Sequence, residues 1–433
     1  MNATLSPVQQ IIAAHRRGEA AGIYSVCCSH PAVLRAAMQV ALHYDTILLV
    51  EATSNQVDQF GGYTGMTPAA FRDYVQQLAS TQQFPLERLV LGGDHLGPNA
   101  WQMLDAVTAM QHAEILIAAY AAAGFHKIHL DCSMRCADDP AILGDDLIAA
   151  RSARLCAVAE AAAAQVGLPP PVYVIGTEVP IPGGEASLAQ AGAVTSPKAA
   201  ARTLDVHRQA FFEHDLHGAW RRVIAMVVQP GVDFDHSQIQ HYQADAAQSL
   251  SEFIAGQPGL VFEAHSTDYQ RETALQRMVH DHFAILKVGP AATFALRSAL
   301  QALCAIEAEL LPASQCSHLM QILDDAMLAQ PKQWLKHYPG TASEQRLLRR
   351  YGLSDRCRYY WGEASVQAAV NQLQRNLDSL QIPQMLIAQF LPLQYEAVRD
   401  GQLAKRYDAL LEHSIGLALA PYARACNHNL AIC

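Results

Sequence analysis

The sequence carries little positive charge and has no long basic stretch. Its 433 residues contain 30 Lys and Arg against 40 Asp and Glu, which gives a formal net charge of −10. The longest basic run lies in "LRRYG", around Arg349 and Arg350. This balance argues against a nucleic-acid-binding protein. It does not exclude small anionic substrates, because a pocket sets its own local field.

Long hydrophobic runs and paired cysteine motifs are also absent. No apolar run approaches the roughly 18 residues of a membrane span. The first residues, "MNATLSPVQQIIAAHRRGEAAG", lack the apolar core of a signal peptide and predict an amphipathic helix. The ten cysteines are scattered and form no paired C-x-x-C zinc motif. These absences predict a cytoplasmic protein with reduced thiols and no membrane association.

What the sequence does contain is a series of short β-rich runs separated by helical patterns. There are eight runs, at 22–30, 46–53, 88–95, 127–133, 172–179, 222–230, 260–266 and 283–289. Near-continuous apolar strands that alternate with helices indicate parallel strands covered by those helices. We therefore predict an α/β fold, a (β/α)₈ barrel spanning residues 1–296.

The pattern changes after this segment. Helical repeats such as "SALQALCAIEAELL" follow, interrupted by aromatic and proline-rich stretches such as "YGLSDRCRYYW". We predict a C-terminal helical region over 297–433, packed on the barrel or on a partner. The aromatic stretches are our candidate for a partner surface, although packing against the barrel is the simpler explanation.

Each β-rich run begins apolar and ends polar, which predicts a ring of polar side chains at one mouth of the barrel. The ring contains Glu51, Asp94, His95, His129, Asp131, Glu178, Gln229, Glu263, His265 and Lys287. Active sites of such barrels lie at the carboxyl ends of the strands. Residues two apart in a strand point the same way, so His129 should project with Asp131 and Glu263 with His265.

The pair Asp94-His95, in "RLVLGGDHLGPNAW", suits a general acid or base beside a metal ligand. The alternative is a solvated turn in which Asp94 caps the next helix. Similar alternatives hold for His129 with Asp131, a rim-fixing hydrogen-bonded pair, and for the loop acid Glu185, which is more simply a solvated residue.

Lys287 admits two roles, a Schiff-base nucleophile or, as we prefer, the counter-ion for the ring of acids. The following "VGPAATFALR" starts a helix whose N–H groups, from Gly289 onward, could bind a phosphate. The loop after His265, beginning at Ser266, could add donors. We predict substrate contacts at Glu51, His129, Glu263, Ser266, Lys287 and Gly289.

Several longer motifs resemble one known family. They are "EATSNQVDQFGGYTGMTP", "LGGDHLGPN", "KIHLDCSM", "YVIGTEVPIPGGEAS", "VVQPGVDFDHS", "FEAHSTDYQ" and "HFAILKVGPAATFALR". The sequence is similar to the GatZ/KbaZ family, accessory subunits of class II D-tagatose-1,6-bisphosphate aldolase. This resemblance implies an aldolase-related barrel that stabilises a separate catalytic subunit in tagatose 6-phosphate catabolism. Such chains have also been called tagatose 6-phosphate kinases, but no G-x-x-x-x-G-K loop occurs here, and we expect no nucleotide or organic cofactor.

The same resemblance suggests roles for individual residues. In catalytic class II aldolases an Asp-His pair supplies the base and a zinc ligand, which Asp94 and His95 match, and His265 matches a later ligand. At the third ligand position this chain has Gln229, a poor ligand for Zn²⁺. Glu178, Asp131 or His236 could complete a site for Zn²⁺ or Mn²⁺, but the aldolase triad looks incomplete, as expected of a non-catalytic subunit.

A second hypothesis follows from the residues themselves. A complete polar ring suits a free-standing, metal-dependent 4-epimerase of a ketohexose or its phosphate, an activity found among relatives of the family. Inversion at C4 needs either cleavage and re-formation of the C3–C4 bond or proton exchange between two opposed acids. Asp94, Glu178 and Asp131 are the predicted acid/base residues. The sequence leaves open whether the chain forms a homo-oligomer.

Overall fold

The computed structural model of the chain describes residues 5–176 and 193–427. Its strands are β1 (Ile23–Val26), β2 (Leu48–Thr53), β3 (Leu89–Leu96), β4 (Lys127–Leu130), β5 (Val172–Ile175), β6 (Val223–Val228), β7 (Asp233–Phe234), β8 (Ile239–Gln240), β9 (Val261–Ala264) and β10 (Ile285–Val288). Eight of them close into a barrel in the order β1-β10-β9-β6-β5-β4-β3-β2. Each pair in the barrel is parallel, whereas β7 and β8 form a small antiparallel hairpin.

Helices alternate with these strands. They are α1 (Pro7–Arg16), α2 (Pro31–His43), α3 (Pro68–Thr81), α4 (Ala106–Ala122), α5 (Asp145–Gln165), α6 (Pro197–Glu213), α7 (His217–Trp220), α8 (Ala244–Ala255), α9 (Glu272–His280) and α10 (Pro290–Leu310). Two helix starts confirm a signal in the sequence: the side chains of Thr67 and Ser196 cap α3 and α6, each with a proline in the first turn. The predicted α/β barrel is confirmed, and each predicted run overlaps one barrel strand.

The helix at the chain's start covers one end of the barrel. Val8 and Ile12 of α1 form one apolar cluster with strand residues such as Leu49, Val90 and Ile224. These strand residues lie near the amino ends of their strands, so α1 closes that end of the barrel. The opposite end, at the carboxyl ends of the strands, carries the polar residues.

The chain after β10 is helical. Its further helices are α11 (Leu319–Ala329), α12 (Ala342–Tyr351), α13 (Ala364–Asp378), α14 (Gln384–Phe390), α15 (Pro392–Arg399) and α16 (Tyr407–Cys426). Helix α16 returns to the barrel and packs on α2, α9 and α10. The hydroxyl of Tyr422 donates to the carbonyl of Thr267 at 2.6 Å, which ties α16 to the loop after β9. Since α10 passes through the boundary at 296, the two-domain division stays a prediction.

Across the described ranges, none of the helices has both the length and the apolar character that a bilayer crossing requires.

Candidate metal centre at the barrel mouth

The stretch Gly92–His95 forms the carboxyl end of β3. Its pairing with β4 shifts register beyond Gly93, and His95 adopts a positive φ of 48°. Such strained residues cost about 1–3 kcal/mol and concentrate at functional sites. A Cβ on Gly92 would lie 2.6 Å from Oε1 of Glu51. The glycine therefore makes room for a buried carboxylate inside the barrel, and the irregularity after it sets the direction of Asp94 and His95.

Three imidazoles and one carboxylate converge at this mouth. His95, His129, His265 and Asp94 each offer one ligand atom, and these atoms all lie within 4.8 Å of one another. All four residues are buried or nearly so. The structure thus brings together three residues predicted for the site from β3 and from the end of β9, and adds His129 from β4.

In each of these rings one nitrogen is already held by an acceptor. Nδ1 of His95 is 2.7 Å from Oδ2 of Asp131. Nε2 of His129 is 3.3 Å from the carbonyl oxygen of Gly176. The predicted pairing of Glu263 with His265 is present, with Oε1 to Nε2 at 2.9 Å. The opposite nitrogens of His95 and His265 are therefore available as lone-pair donors, as in metal-ligating histidines with outer-shell carboxylates.

His129 also contacts Asp94. Its Nδ1 lies 3.0 Å from Oδ1 of Asp94 and 3.3 Å from the backbone nitrogen of His95. With its proton on Nδ1 the ring donates to Asp94, and with its proton on Nε2 the lone pair of Nδ1 accepts from the N–H of His95. Three imidazoles and a carboxylate are a donor set that suits Zn²⁺ and also accommodates Mn²⁺.

Asp94 is the natural base of this cluster. Burial would raise its pKa, but the neighbouring His95 and the hydrogen bond with His129 hold that pKa well below its usual range. For His95 burial acts in the opposite sense, and the two carboxylates of Asp94 and Asp131 outweigh it and raise the pKa to about 9. Asp94 is therefore an ionised carboxylate at neutral pH, able to accept a proton.

A buried ionic layer lies beneath the imidazoles. Nζ of Lys127 is 2.5 Å from Oε1 of Glu51 and 2.6 Å from Oε2 of Glu263. Nζ of Lys287 pairs with Glu51 and lies 2.9 Å from Oδ1 of Asp94 and 3.4 Å from Oε1 of Glu263. The layer holds Glu263, which in turn orients His265. Burial lowers the pKa of Lys287 to about 8, so it is predominantly charged at neutral pH. Its contacts agree with the counter-ion role and not with a Schiff-base amine.

The ligand suggested at the third aldolase position is not in the cluster. Oε1 of Gln229 accepts from the backbone N–H groups of 231 and 232, at 2.8 and 3.1 Å, and so folds the turn after β6. His236 is also elsewhere, with Nδ1 2.9 Å from the hydroxyl of Ser354. The imidazole that joins His95 and His265 is His129, for which the sequence had suggested a substrate contact. Glu178 and Glu185 lie outside the described residues.

The predicted phosphate-binding site at the start of α10 is occupied by the side chain of Asp268. Oδ1 of Asp268 accepts from the N–H groups of Gly289 and Ala291, at 3.0 and 2.8 Å. The loop after β9 therefore supplies an acceptor to the helix N-terminus instead of further donors, a favourable arrangement for the helix dipole. Burial raises the pKa of Asp268 to about 6, against the lowering effect of these bonds. Ser266, the predicted donor, is fully buried.

A cleft with a cavity volume of about 110 Å³ lies at the candidate metal centre and is lined in part by Asp94, His95 and His265. Of the predicted substrate-binding residues, Lys287 and Gly289 line it. The other four, Glu51, His129, Glu263 and Ser266, are buried and do not line it, so their contribution is to the cluster beneath or to the scaffold.

The sequence reading missed two features. The first is Lys127, which is fully buried. The sequence did contain a signal for it, because a charged residue begins the otherwise apolar run "KIHL". Arg358 and Tyr359 line the cleft from the C-terminal region, far from the barrel strands along the chain. No local pattern links those two residues to the barrel mouth.

Comparisons with known proteins found one matching family model and several similar structures. Residues 8–427 match the family model described as D-tagatose-1,6-bisphosphate aldolase subunit GatZ/KbaZ-like. A crystal structure of a probable tagatose 6-phosphate kinase from Sinorhizobium meliloti 1021 is 47% identical, with a TM-score of 0.87, covering 94% of this chain and 100% of that chain. The YdjI aldolase from Escherichia coli K12 is 10% identical, with a TM-score of 0.41, covering 86% of this chain and 97% of that chain. Because the family model spans nearly the whole chain, this protein belongs to the GatZ/KbaZ-like family of D-tagatose-1,6-bisphosphate aldolase subunits.

Proposed function

We propose that this chain is a metal-dependent epimerase that inverts C4 of a ketohexose or ketohexose phosphate, interconverting tagatose and fructose forms. The observation that carries the proposal is the set of three imidazoles around Asp94, each with one nitrogen held by an acceptor. The argument for an inactive subunit was an incomplete triad at Gln229. His129 supplies a third imidazole, so that argument no longer applies.

The chemistry assigned to each residue follows from the geometry. A divalent ion on His95, His129 and His265 would supply a Lewis acid for the substrate's carbonyl oxygen. Asp94 accepts the proton of the C4 hydroxyl while the C3–C4 bond breaks, its electron pair passing toward the C2 carbonyl and C4 becoming an aldehyde. After the aldehyde rotates, C3 attacks its other face and Asp94 returns the proton to the new hydroxyl. No atom is gained or lost.

The kinase activity in the name of the Sinorhizobium meliloti relative is not carried over to this chain. The sequence contains no G-x-x-x-x-G-K motif, the phosphate-binding loop of P-loop nucleotide-binding proteins.

The proposal predicts metal-dependent turnover by the chain alone. The purified protein, stripped with a chelator and reloaded with Zn²⁺, Mn²⁺ or Mg²⁺, should convert tagatose 6-phosphate or tagatose to the fructose epimer. Asp94→Asn should lower turnover on the order of 100-fold with only a partial loss of metal affinity, because the base is removed while the three imidazoles remain. Asp205→Asn, an exposed acid on α6, is the matched control. Absence of product with every metal, or turnover indifferent to the chelator, would overturn the proposal.

A second candidate is favoured by the family description, a subunit that stabilises a separate catalytic aldolase chain. Large apolar side chains are exposed near the start of α4, with Met103 85% and Val107 65% exposed. The aromatic stretch suggested as the partner surface is less suitable, because Tyr360 and Trp361 are buried in the chain itself. This function predicts that the protein raises the Tm of the catalytic aldolase subunit and that Met103→Lys abolishes the shift. An unchanged Tm in the mixture would argue against it.

A further inference from the structure

Arg358 is a cation at the barrel mouth that is not engaged in an ion pair with any described carboxylate. It lines the cleft together with Asp94, His95 and His265. Its Nη1 donates to the carbonyl of Ser354 at 2.5 Å and its Nη2 to the hydroxyl of Tyr359 at 2.8 Å. Within 5–176 and 193–427, no carboxylate oxygen comes within 4.0 Å of its guanidinium. These contacts fix the group in place and leave other N–H donors unused.

Two acids that interact electrostatically with Arg358 are engaged by other groups. Oδ1 of Asp355 pairs with Nε of Arg297 at 2.6 Å. Oδ1 of Asp268 accepts two amides at the start of α10. The charge of Arg358 is therefore available to a ligand in the cleft.

The rest of the cleft is poorly suited to an anion. Its floor holds the carboxylates of Asp94 and Asp131, and Asp268 fills the helix N-terminus where a phosphate was expected. The other strongly basic side chain that lines the described part of the cleft is Lys287, whose ammonium is shared among Glu51, Asp94 and Glu263. An anionic group on the substrate is thus accommodated at the Arg358 side.

We propose that Arg358 is a specificity-determining residue that binds the anionic end of an open-chain ketohexose, a phosphate monoester or a carboxylate, while C2 to C4 face Asp94 and the imidazoles. This inference rests on the proposed function and adds the substrate class to it. A guanidinium offers a planar fork of donors that matches both anions. The guanidinium carbon lies 4.5 Å from the centre of the Tyr359 ring, and this stacking holds the plane of the fork.

The position of Arg358 gives the C-terminal region a role in recognition. Arg358 belongs to a short helical turn, Arg356–Tyr359. The turn is anchored to α10 through the buried pair of Asp355 and Arg297. Because α10 starts directly after β10, the anion-binding group is held in a constant position relative to the metal centre.

The test compares three ligands that differ at C6: tagatose 6-phosphate, tagaturonate and neutral tagatose. Calorimetry on the metal-loaded protein gives the Kd of each for the wild type, Arg358→Gln and Arg358→Lys. We expect at least one anionic ligand to bind the wild type about 50-fold more tightly than tagatose. Arg358→Gln should remove that preference while changing the Kd of tagatose less than about threefold, and Arg358→Lys should restore part of it. The anion that shows the larger loss identifies the natural terminal group.

The controls separate recognition from folding and from general charge. Arg346→Gln removes the same charge from an exposed position on α12 and should leave all three Kd values unchanged. An unchanged tagatose Kd in Arg358→Gln shows that the cleft is intact.

Two results would overturn the inference: no preference for either anion in the wild type, or an equal weakening of all three ligands in Arg358→Gln and Arg358→Lys. The inference and the proposed function fail separately. Arg358-dependent anion binding without turnover would contradict only the epimerase proposal, and turnover without anion preference would contradict only the role of Arg358.

Discussion

Replacing His129 by alanine should remove the bound metal and the turnover together, whereas replacing Gln229 should leave both in place. His129 is one of the three imidazoles whose ligand atoms lie within 4.8 Å of one another and of Asp94. The side-chain oxygen of Gln229 is instead engaged by two backbone amides. Loss of one of three imidazoles should weaken metal binding by about 10²- to 10³-fold, since structural zinc sites gain roughly 10–16 kcal/mol from four ligands.

Metal affinity is measured by competition with a chromophoric chelator, on protein whose far-UV circular dichroism matches the wild type. Because His129 is buried, His129→Gln provides a second variant that retains most of the side-chain volume and an oxygen that binds Zn²⁺ poorly. Gln229→Ala is the control from the corresponding sequence position. Retention of metal by both His129 variants, with loss in Gln229→Ala, would show that the site is assembled as in the catalytic aldolases and not as proposed here.

Replacing Lys127 by methionine should lower the free energy of unfolding by about 4 kcal/mol. The ammonium is fully buried between Glu51 and Glu263, at 2.5 and 2.6 Å. Methionine has a similar length but no charge. The carboxylates of Glu51 and Glu263 would then share Lys287 as the remaining lysine of the layer. Removing one member of a buried ionic network leaves charge uncompensated in a medium of low dielectric constant, which is the source of the large cost.

Urea unfolding of the metal-free protein measures this effect without contribution from ligand binding. Arg17→Met is the control, because its pair with Glu19 is exposed, and it should change the free energy of unfolding by less than about 1 kcal/mol. The double variant Lys127→Met, Glu263→Gln should be less destabilised than the sum of the single variants, since the second change removes one of the unpaired charges. A loss below about 1 kcal/mol in Lys127→Met would mean that the lysine is not part of a compensated network.

The barrel and the place of its active mouth could be predicted from local patterns. Eight apolar runs with intervening helix formers are sufficient to predict parallel strands, and caps such as Thr67 and Ser196 mark helix starts. The polar residues that end the runs must then meet at one rim, because parallel strands in a barrel all run in the same direction. Asp94, His95, His265 and Lys287 were found for this reason.

Which side chains make up the candidate metal cluster could not be predicted from local patterns. Whether His129 or Gln229 joins His95 depends on the tilt of β4 and on the turn after β6, and these are set by packing among strands that are distant in sequence. The same holds for Asp268. Its carboxylate binds the N–H groups at the start of α10, where the local sequence had predicted a phosphate.

Arg358 is the clearest case of a residue that only the packed chain could place. Its own segment, "YGLSDRCRYYW", suggested a partner surface and gave no signal of a small-molecule site. Arg358 is also far from Asp94 along the sequence, so no periodic pattern could show that the two residues line one cleft. Strand and helix patterns arise from interactions between residues a few positions apart, so they can be recognised in the sequence alone. A site shared by the barrel and the C-terminal helices arises from long-range burial and charge pairing, here of Asp355 with Arg297, and is defined only once those surfaces meet.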